Sequence, residues 1–352
     1  MKGLLKYLSP FAPDQSGVCA VLYDLGGIIV ICDAGGCTGN ICGFDEPRWF
    51  VRKSAIFSAG LRDMDAILGR DDRLVEKLKD TAQKVDASFA AVVGTPVPAV
   101  IATDYRALKR MAQKRCGLPV ITVECTGTRL YDEGAQDVYL QLFQNFSRDT
   151  TEVIPGKIGV LGVTPLDTSL IDGDVKIRES LKREGYEQVC CYGTGGSLDE
   201  IREAGSAEKN LVIAPAGLKA AEYLKQRFGT PYEWGYPLLE ESFKEKLHGL
   251  AGKKVLVIHQ QTAAHEIREE IRRFGDADVA AASWFLQVES LKEPGDFHLE
   301  TEDQLIQMVE QGDYDVIIGD RLLGRALRKY QGEFIHIAHF AVSGECIDGS
   351  GK

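Results

Sequence analysis

The chain has 352 residues, 44% hydrophobic and 26% charged, an ordinary globular composition. At about 150 residues per domain it should form two or three domains with cores large enough to need no disulfides. A formal net charge of −11 argues against nucleic acid or an anionic membrane as a partner. No stretch reaches the roughly 18 apolar residues that span a bilayer. The start, MKGLLKYLSPFAP, lacks a signal-peptide core and cleavage site, so the chain is expected in the cytoplasm.

Short apolar, β-rich runs alternate with helical patterns, which implies βαβ units and parallel sheets. The apolar run from Gly17 to Cys32 is broken by Asp24 and by Gly26-Gly27, so it reads as two buried strands, Val18–Tyr23 and Ile28–Cys32. Further strands are predicted at Ser88–Val93 and Pro119–Val123, with helices at Asp72–Val85, Asp104–Lys114 and Ala135–Phe146. The polar stretch ending in Pro155-Gly156 reads as a linker. A second unit follows: strand Lys157–Val163, helix Val175–Glu184, strand Gln188–Gly193, strand NLVIAP and helix Leu218–Phe228. Ser197 and Glu200 have capping-box spacing after the glycine turn Gly193–Gly196. A third unit opens with strand Gly252–His259 and continues through helix Ala263–Phe274, strand Asp278–Ser283, helix Glu302–Gln311 and strands Tyr314–Asp320 and Phe334–Phe340.

The fold class is therefore α/β: three Rossmann-like, doubly wound units with parallel sheets around a central cleft, divided as 1–150, 151–250 and 251–352. Ligands of such sheets sit beyond the C-terminal strand ends. That rule gathers Thr164, Gly193–Gly196, Pro215, His259–Gln261 and Gly319-Asp320 around one cleft. The glycine turn at Gly193–Gly196 suits an anion at a helix N-terminus but fits neither the dinucleotide nor the Walker fingerprint. His259 at a strand end suits a general acid, an axial ligand or a helix cap.

Nine cysteines, an odd count without a signal segment, do not read as a disulfide framework. Four of them, Cys19, Cys32, Cys37 and Cys42, fall between residues 19 and 42, in a stretch whose glycines let the backbone approach a bulky ligand. Iron–sulfur clusters want about four thiolates. Zinc sites usually come as closely spaced cysteine pairs, which are missing here. Buried free thiols remain the other reading.

GGCTGN at Gly35–Asn40 resembles the glycine-and-cysteine turn of the nitrogenase component 1 family. That family includes the MoFe protein subunits, a related cofactor-assembly scaffold and the dark-operative protochlorophyllide reductase. The blocks Ser58–Leu78, Thr95–Asp104 and Val123–Gln136 resemble further family segments. GTGGSLDEI, NLVIAPAGLKAAEYL and GKKVLVIHQ follow in the family's order, so the resemblance runs along nearly the whole chain. It implies cluster ligands at Cys19 and Cys37, with Gly36 in the ligand turn. The family's third ligand should fall in Thr95–Asp104, where Pro96 stands. Two ligands per chain suit one [4Fe–4S] cluster shared by a homodimer, or with a homologous subunit. The alternative is a single-chain cluster completed by Cys32 or Cys42.

The residues Ala214 and Pro215 stand where the MoFe protein's cofactor cysteine would fall, so a nitrogen-fixing cofactor held in that way is not expected. The cleft's own cofactor or substrate stays unnamed. The resemblance further implies an electron donor of the nitrogenase-iron-protein type that hydrolyses ATP, docking near Arg48, Trp49, Arg62, Asp63 and Asp65. The function so implied is an oxidoreductase passing electrons to a substrate or metallocofactor. The alternatives are a non-catalytic scaffold for metallocofactor assembly and a binding protein that has lost its cluster.

Overall fold

The computed structural model describes residues 5–149 and 152–347. Among the described residues, thirteen strands form three all-parallel sheets. The first contains β1 (Gly27–Ile31), β2 (Ala55–Ser58), β3 (Phe89–Val93) and β4 (Val120–Val123), in the order β2-β1-β3-β4. The second contains β5 (Ile154–Leu161), β6 (Gln188–Cys191), β7 (Ala207–Val212) and β8 (Tyr232–Trp234), in the order β6-β5-β7-β8. The third contains β9 (Lys254–Ile258), β10 (Asp278–Ser283), β11 (Phe297–His298), β12 (Val316–Gly319) and β13 (Glu333–His336), in the order β11-β10-β9-β12-β13. In each sheet the first strand of the unit lies inside, so the winding reverses beside it: at β1/β3, β5/β7 and β9/β12.

Burial on both faces explains the sequence of the inner strands. GIIVI and FAAVV are buried at every position, as central parallel strands require. Side chains alternate between faces. Ile29 and Ile31 join one apolar cluster, and Ile28 and Val30 join another. The clusters do not stop at residues 150 and 250. The first unites Val18 with Leu161, Tyr192 and Leu224, the second unites Val160 with Val255, and a third unites Ala12 with Leu256.

Residues 18–22 are helical, not a strand. The helix Asp14–Leu22 is buried at all nine positions. It therefore lacks the amphipathic period by which a surface helix is read, and a short apolar run cannot be told from a strand by periodicity alone. Its packing on the helix Tyr131–Phe146 depends on two glycines. A Cβ on Gly17 would lie 1.8 Å from the Tyr131 carbonyl oxygen, and one on Gly134 would lie 2.0 Å from the Asp14 carbonyl oxygen. Pro155 and Gly156 belong to β5 and not to a linker. The short strands β2, β8 and β11, all at or beside sheet edges, carry no strong strand pattern. The capping box of Ser197 and Glu200 forms, with Ser197 Oγ accepting from the Glu200 amide at 3.2 Å.

Candidate functional site

The winding reversal of the first sheet brings the ends of β1 and β3 together, and the cysteine turn grows from that point. After β1 the chain passes Cys32 and Asp33 and turns at Gly35, whose φ of +118° is accessible to glycine. It then enters the short helix Gly36–Asn40, which carries Cys37. Gly36 is exposed, with open space on its Cβ side. Buried Asp33 ties the turn down. It accepts from the Thr38 amide at 2.7 Å, the Thr38 hydroxyl at 3.0 Å and the Ser58 hydroxyl at 2.6 Å.

The four clustered cysteines do not share one environment. Cys19 is fully buried in the helix Asp14–Leu22, within the apolar cluster that also holds Cys42 and Cys125. Burial pushes its thiol well above the ordinary range, and Cys125, Glu46 and Cys42 act in the same sense. Cys37 packs against the edge of that cluster and is partly exposed. Burial and Asp33 raise its thiol, while the Thr95 hydroxyl opposes them. Cys42 sits on the single π-helical turn Ile41–Asp45, its thiol raised by burial and by Glu46. Cys32 faces the other side of the sheet, among Leu74, Leu78 and Tyr105, and burial pushes its thiol up to about 12. The structure thus brings Cys19, Cys37 and Cys42 to one side of the sheet and Cys32 to the other.

Thr95, not Pro96, is the residue of its segment that stands beside Cys37. Thr95 is fully buried and donates to the Cys32 carbonyl at 2.6 Å. Pro96 instead packs against Gly127, where a Cβ would lie 2.5 Å from the proline ring. Among the buried polar atoms that lack partners are Gln15 Oε1, one helical turn before Cys19, and the Tyr105 hydroxyl, on the Cys32 side of the sheet. Orphaned polar atoms beside soft, buried sulfurs suit a group that brings its own polarity. Among the described residues no three thiols lie within 4.8 Å of one another. With zinc–sulfur bonds of about 2.3 Å, a ready tetrahedral zinc site would bring them closer than that. A multi-iron cluster, with each thiolate on a different iron, spreads its ligands more widely.

The surface expected to receive a partner is partly interior. Arg48 is fully buried. It donates to Glu46 twice at 2.7 Å, to Asp24 and Thr194 at 3.0 Å and to the Ala20 carbonyl at 2.6 Å, with its guanidinium 4.5 Å from the Tyr23 ring centre. Asp24 also accepts from the Gly195 amide at 2.9 Å. The anion at the Gly193–Gly196 turn is therefore the protein's own carboxylate.

The central cleft expected from the strand ends is filled by side chains. Thr164, Pro215, His259, Gln260, Gln261 and Asp320 are all buried. His259 accepts from the Gln260 amide on Nδ1 at 2.9 Å and donates from Nε2 to the Ala338 carbonyl at 3.2 Å. It serves backbone groups, stacks on His339 with ring centres 4.2 Å apart, and is held neutral, lowered to about 4 by burial. Tyr131 donates to Asp167 at 2.7 Å and receives His339 Nε2 at 3.1 Å. Burial pushes Asp167 up to about 7. The space left beside Trp284 and these histidines is about 10 Å³.

A cavity of about 810 Å³ lies elsewhere, between Ser9–Pro13, the segment Asn40–Phe50 and Phe340–Cys346. Its signal in the sequence is weak, because it is made by segments far apart in the chain. Just after the cysteine turn, Phe44 and Phe50 are about three-quarters exposed.

No helix among the described residues is long and apolar enough to cross a membrane. Over 185 residues the chain is 24% identical to the nitrogenase iron-molybdenum cofactor biosynthesis protein NifE of Bradyrhizobium diazoefficiens, covering 50% of this chain and 32% of that protein. Over 181 residues it is 28% identical to NifE of Clostridium pasteurianum, covering 50% and 38%. The matched region thus spans about a third of the length of these curated relatives. The fold superposes on nitrogenase Cp1 solved at pH 6.5 with a TM-score of 0.71 at 13% identity, covering 96% of this chain and 87% of that one. On nitrogenase Cp1 at pH 5 the TM-score is 0.68 at 15% identity, covering 96% and 85%. The family model for nitrogenase component 1 type oxidoreductases matches residues 17–285, about three-quarters of the chain, and the protein belongs to that family.

Proposed function

We propose that this protein is a cytoplasmic, nitrogenase-like electron-transfer component that holds an iron–sulfur cluster on Cys19 and Cys37 from each of two copies. The observation that carries the reading is the placement of these two cysteines on one side of the first sheet, at its winding reversal, with Cys37 partly exposed at the rim. Cys32 lies across the sheet, which disfavours a cluster completed by it within one chain. The exposed side chains of Phe44 and Phe50, both at the cavity beside the cysteine turn, favour a second copy covering this face.

When bound, a [4Fe–4S] cluster supplies one-electron transfer. The chain's residues would hold it through the Cys19 and Cys37 thiolates. Burial favours neutral thiols in both, so loading should release protons and weaken as pH falls. Electrons would come from an iron-protein-like ATPase and go to a substrate or metallocofactor. The cavity beside Asn40–Phe50 is the space available for that acceptor.

A second reading, a scaffold on which a metallocofactor is assembled without turnover, is favoured by the relatives, which are cofactor biosynthesis proteins by name. The two readings part on whether an electron acceptor is consumed after reduction.

The test is iron and acid-labile sulfide per protomer on anaerobically purified protein of measured mass, with EPR after reduction. The proposal expects about four irons per dimer. Cys19→Ala and Cys37→Ala should each abolish the iron, while Cys42→Ala should keep it. Equal loss on Cys42→Ala moves the ligands into one chain. No iron after attempted reconstitution sinks the redox reading.

A further inference from the structure

Gln15 is 6% exposed, yet its side-chain oxygen finds no hydrogen-bond partner. Leaving a buried amide group unpaired costs about 1–3 kcal/mol, so its burial here calls for a reason. The adjacent Asp14 carboxylate is itself only an acceptor and is already engaged. Asp14 accepts from the Thr126 and Gly127 amides at 2.9 Å, from Arg129 at 3.2 Å and from the Gln15 backbone amide at 3.0 Å.

The side chain lies where three segments meet. Gln15 precedes Cys19 by one helical turn, on the same helix face. A Cβ on Gly127 would lie 3.5 Å from Gln15 Oε1 and 2.5 Å from Pro96. Pro96 follows Thr95, which stands beside Cys37. The amide therefore occupies the corner between the Cys19 helix and the Cys37 side of the site. The two ends of a glutamine amide exchange by a simple flip, so its NH₂ can face a sulfur.

We infer that Gln15 is a positioning residue whose side-chain NH₂ donates a hydrogen bond to a thiolate or sulfide sulfur of the cluster; the inference rests on the cluster reading above. A donor to sulfur favours the more negatively charged, reduced cluster. Gln15 therefore makes the cluster easier to reduce.

The experiment uses the full chain, reconstituted anaerobically with iron and sulfide, as wild type and as Gln15→Leu, Gln15→Met and Gln15→Glu. Iron and sulfide are counted first, and reduction is then titrated by EPR. The expected result is an unchanged iron count, with Gln15→Leu and Gln15→Met shifted at least tenfold toward the oxidised form, about 59 mV for one electron. Gln15→Glu should shift further the same way, because a carboxylate repels the added electron. Iron-loaded Leu and Met variants that titrate like wild type would overturn this inference and leave the cluster reading standing. Loss of iron from both, with melting unchanged, would also overturn it, since Gln15 would then hold the cluster instead of tuning it. A wild type that binds no iron overturns both.

Discussion

Single residues hold the site in place through contacts that the sequence does not show. Arg48 is the clearest. Its five donors are spent on Glu46, Asp24, Thr194 and a backbone carbonyl, with no exposure to water. Through Thr194 and the Asp24–Gly195 bond it joins the cysteine-turn segment to the second sheet. Replacing it by methionine would strand Glu46, which is 2% exposed. Breaking a buried pair from one side costs about 3–5 kcal/mol. Arg48→Met should therefore lower the urea midpoint sharply, and adding Glu46→Gln should recover part of the loss. A single variant within 1 kcal/mol of wild type would show the network to be decorative. Thr95 works more locally. Its hydroxyl favours the Cys37 thiolate, together with a backbone hydrogen bond at Cys37 itself, against burial and Asp33. Thr95→Val keeps the shape and removes that help. The Cys37 thiol should then titrate at higher pH and alkylate more slowly near neutrality, as read by iodoacetamide mapping of peptides. An unchanged pH profile would mean the hydroxyl serves only the Cys32 carbonyl.

At the scale of elements, legibility followed burial. Helices with one wet face show their period in the sequence: Leu218–Phe228 matches its prediction, and Asp278–Ser283 matches among the strands. The helix Asp14–Leu22 has no wet face, so its apolar run passes for a strand. What identifies it is tertiary: Gly17 and Gly134 let two helix backbones touch, and no local pattern announces such a contact. The expected cleft failed for a related reason. The strand-end rule correctly finds where loops converge, but it cannot tell an open crevice from one plugged by side chains. Here His259, His339, Tyr131 and Asp167 fill the space. The first sheet was different. Cysteines and glycines crowded after one strand mark its winding reversal, and Cys19, Cys37 and Cys42 do gather on one side of it. Cys32 lies across the sheet from them because the alternation at the end of β1 sends it opposite Ile31. The two-glycine contact gives its own test. Gly17→Ala puts a methyl group into the Tyr131 carbonyl, and overpacking of this kind costs about 1–3 kcal/mol or more. The midpoint of chemical unfolding should fall accordingly. Tolerance at wild-type stability would mean that the helices can slide apart freely.

Across the whole molecule, the plugged centre where the second and third sheets meet the helix Tyr131–Phe146 sets opposing pH dependences. Asp167 has its folded pKa raised to about 7 by burial, against about 3.9 in an unfolded chain. Between those values the folded state keeps a proton that the unfolded state releases, so this group makes stability fall as pH rises through that window. His259 is lowered to about 4 by burial, against about 6.5 unfolded. Between those values the unfolded state takes a proton that the folded state refuses, so this group makes stability fall as pH drops from 6.5 toward 4. In the overlap the two slopes oppose each other, and wild type alone would hide both. Two substitutions separate them. Asp167→Asn can still accept from Tyr131, and it removes the first slope. Relative to wild type it should gain stability as pH rises from 4 to 7, by about 1.4 kcal/mol per unit at most. His259→Gln removes the second slope, so relative to wild type it should gain as pH falls from 6.5 to 4. Urea unfolding at half-unit steps of pH reads both differences. If either variant ran parallel to wild type across its window, the group it replaced would titrate alike in folded and unfolded chains. The centre would then have to be open enough for water to reach that group, which would restore the cleft that the packed side chains exclude.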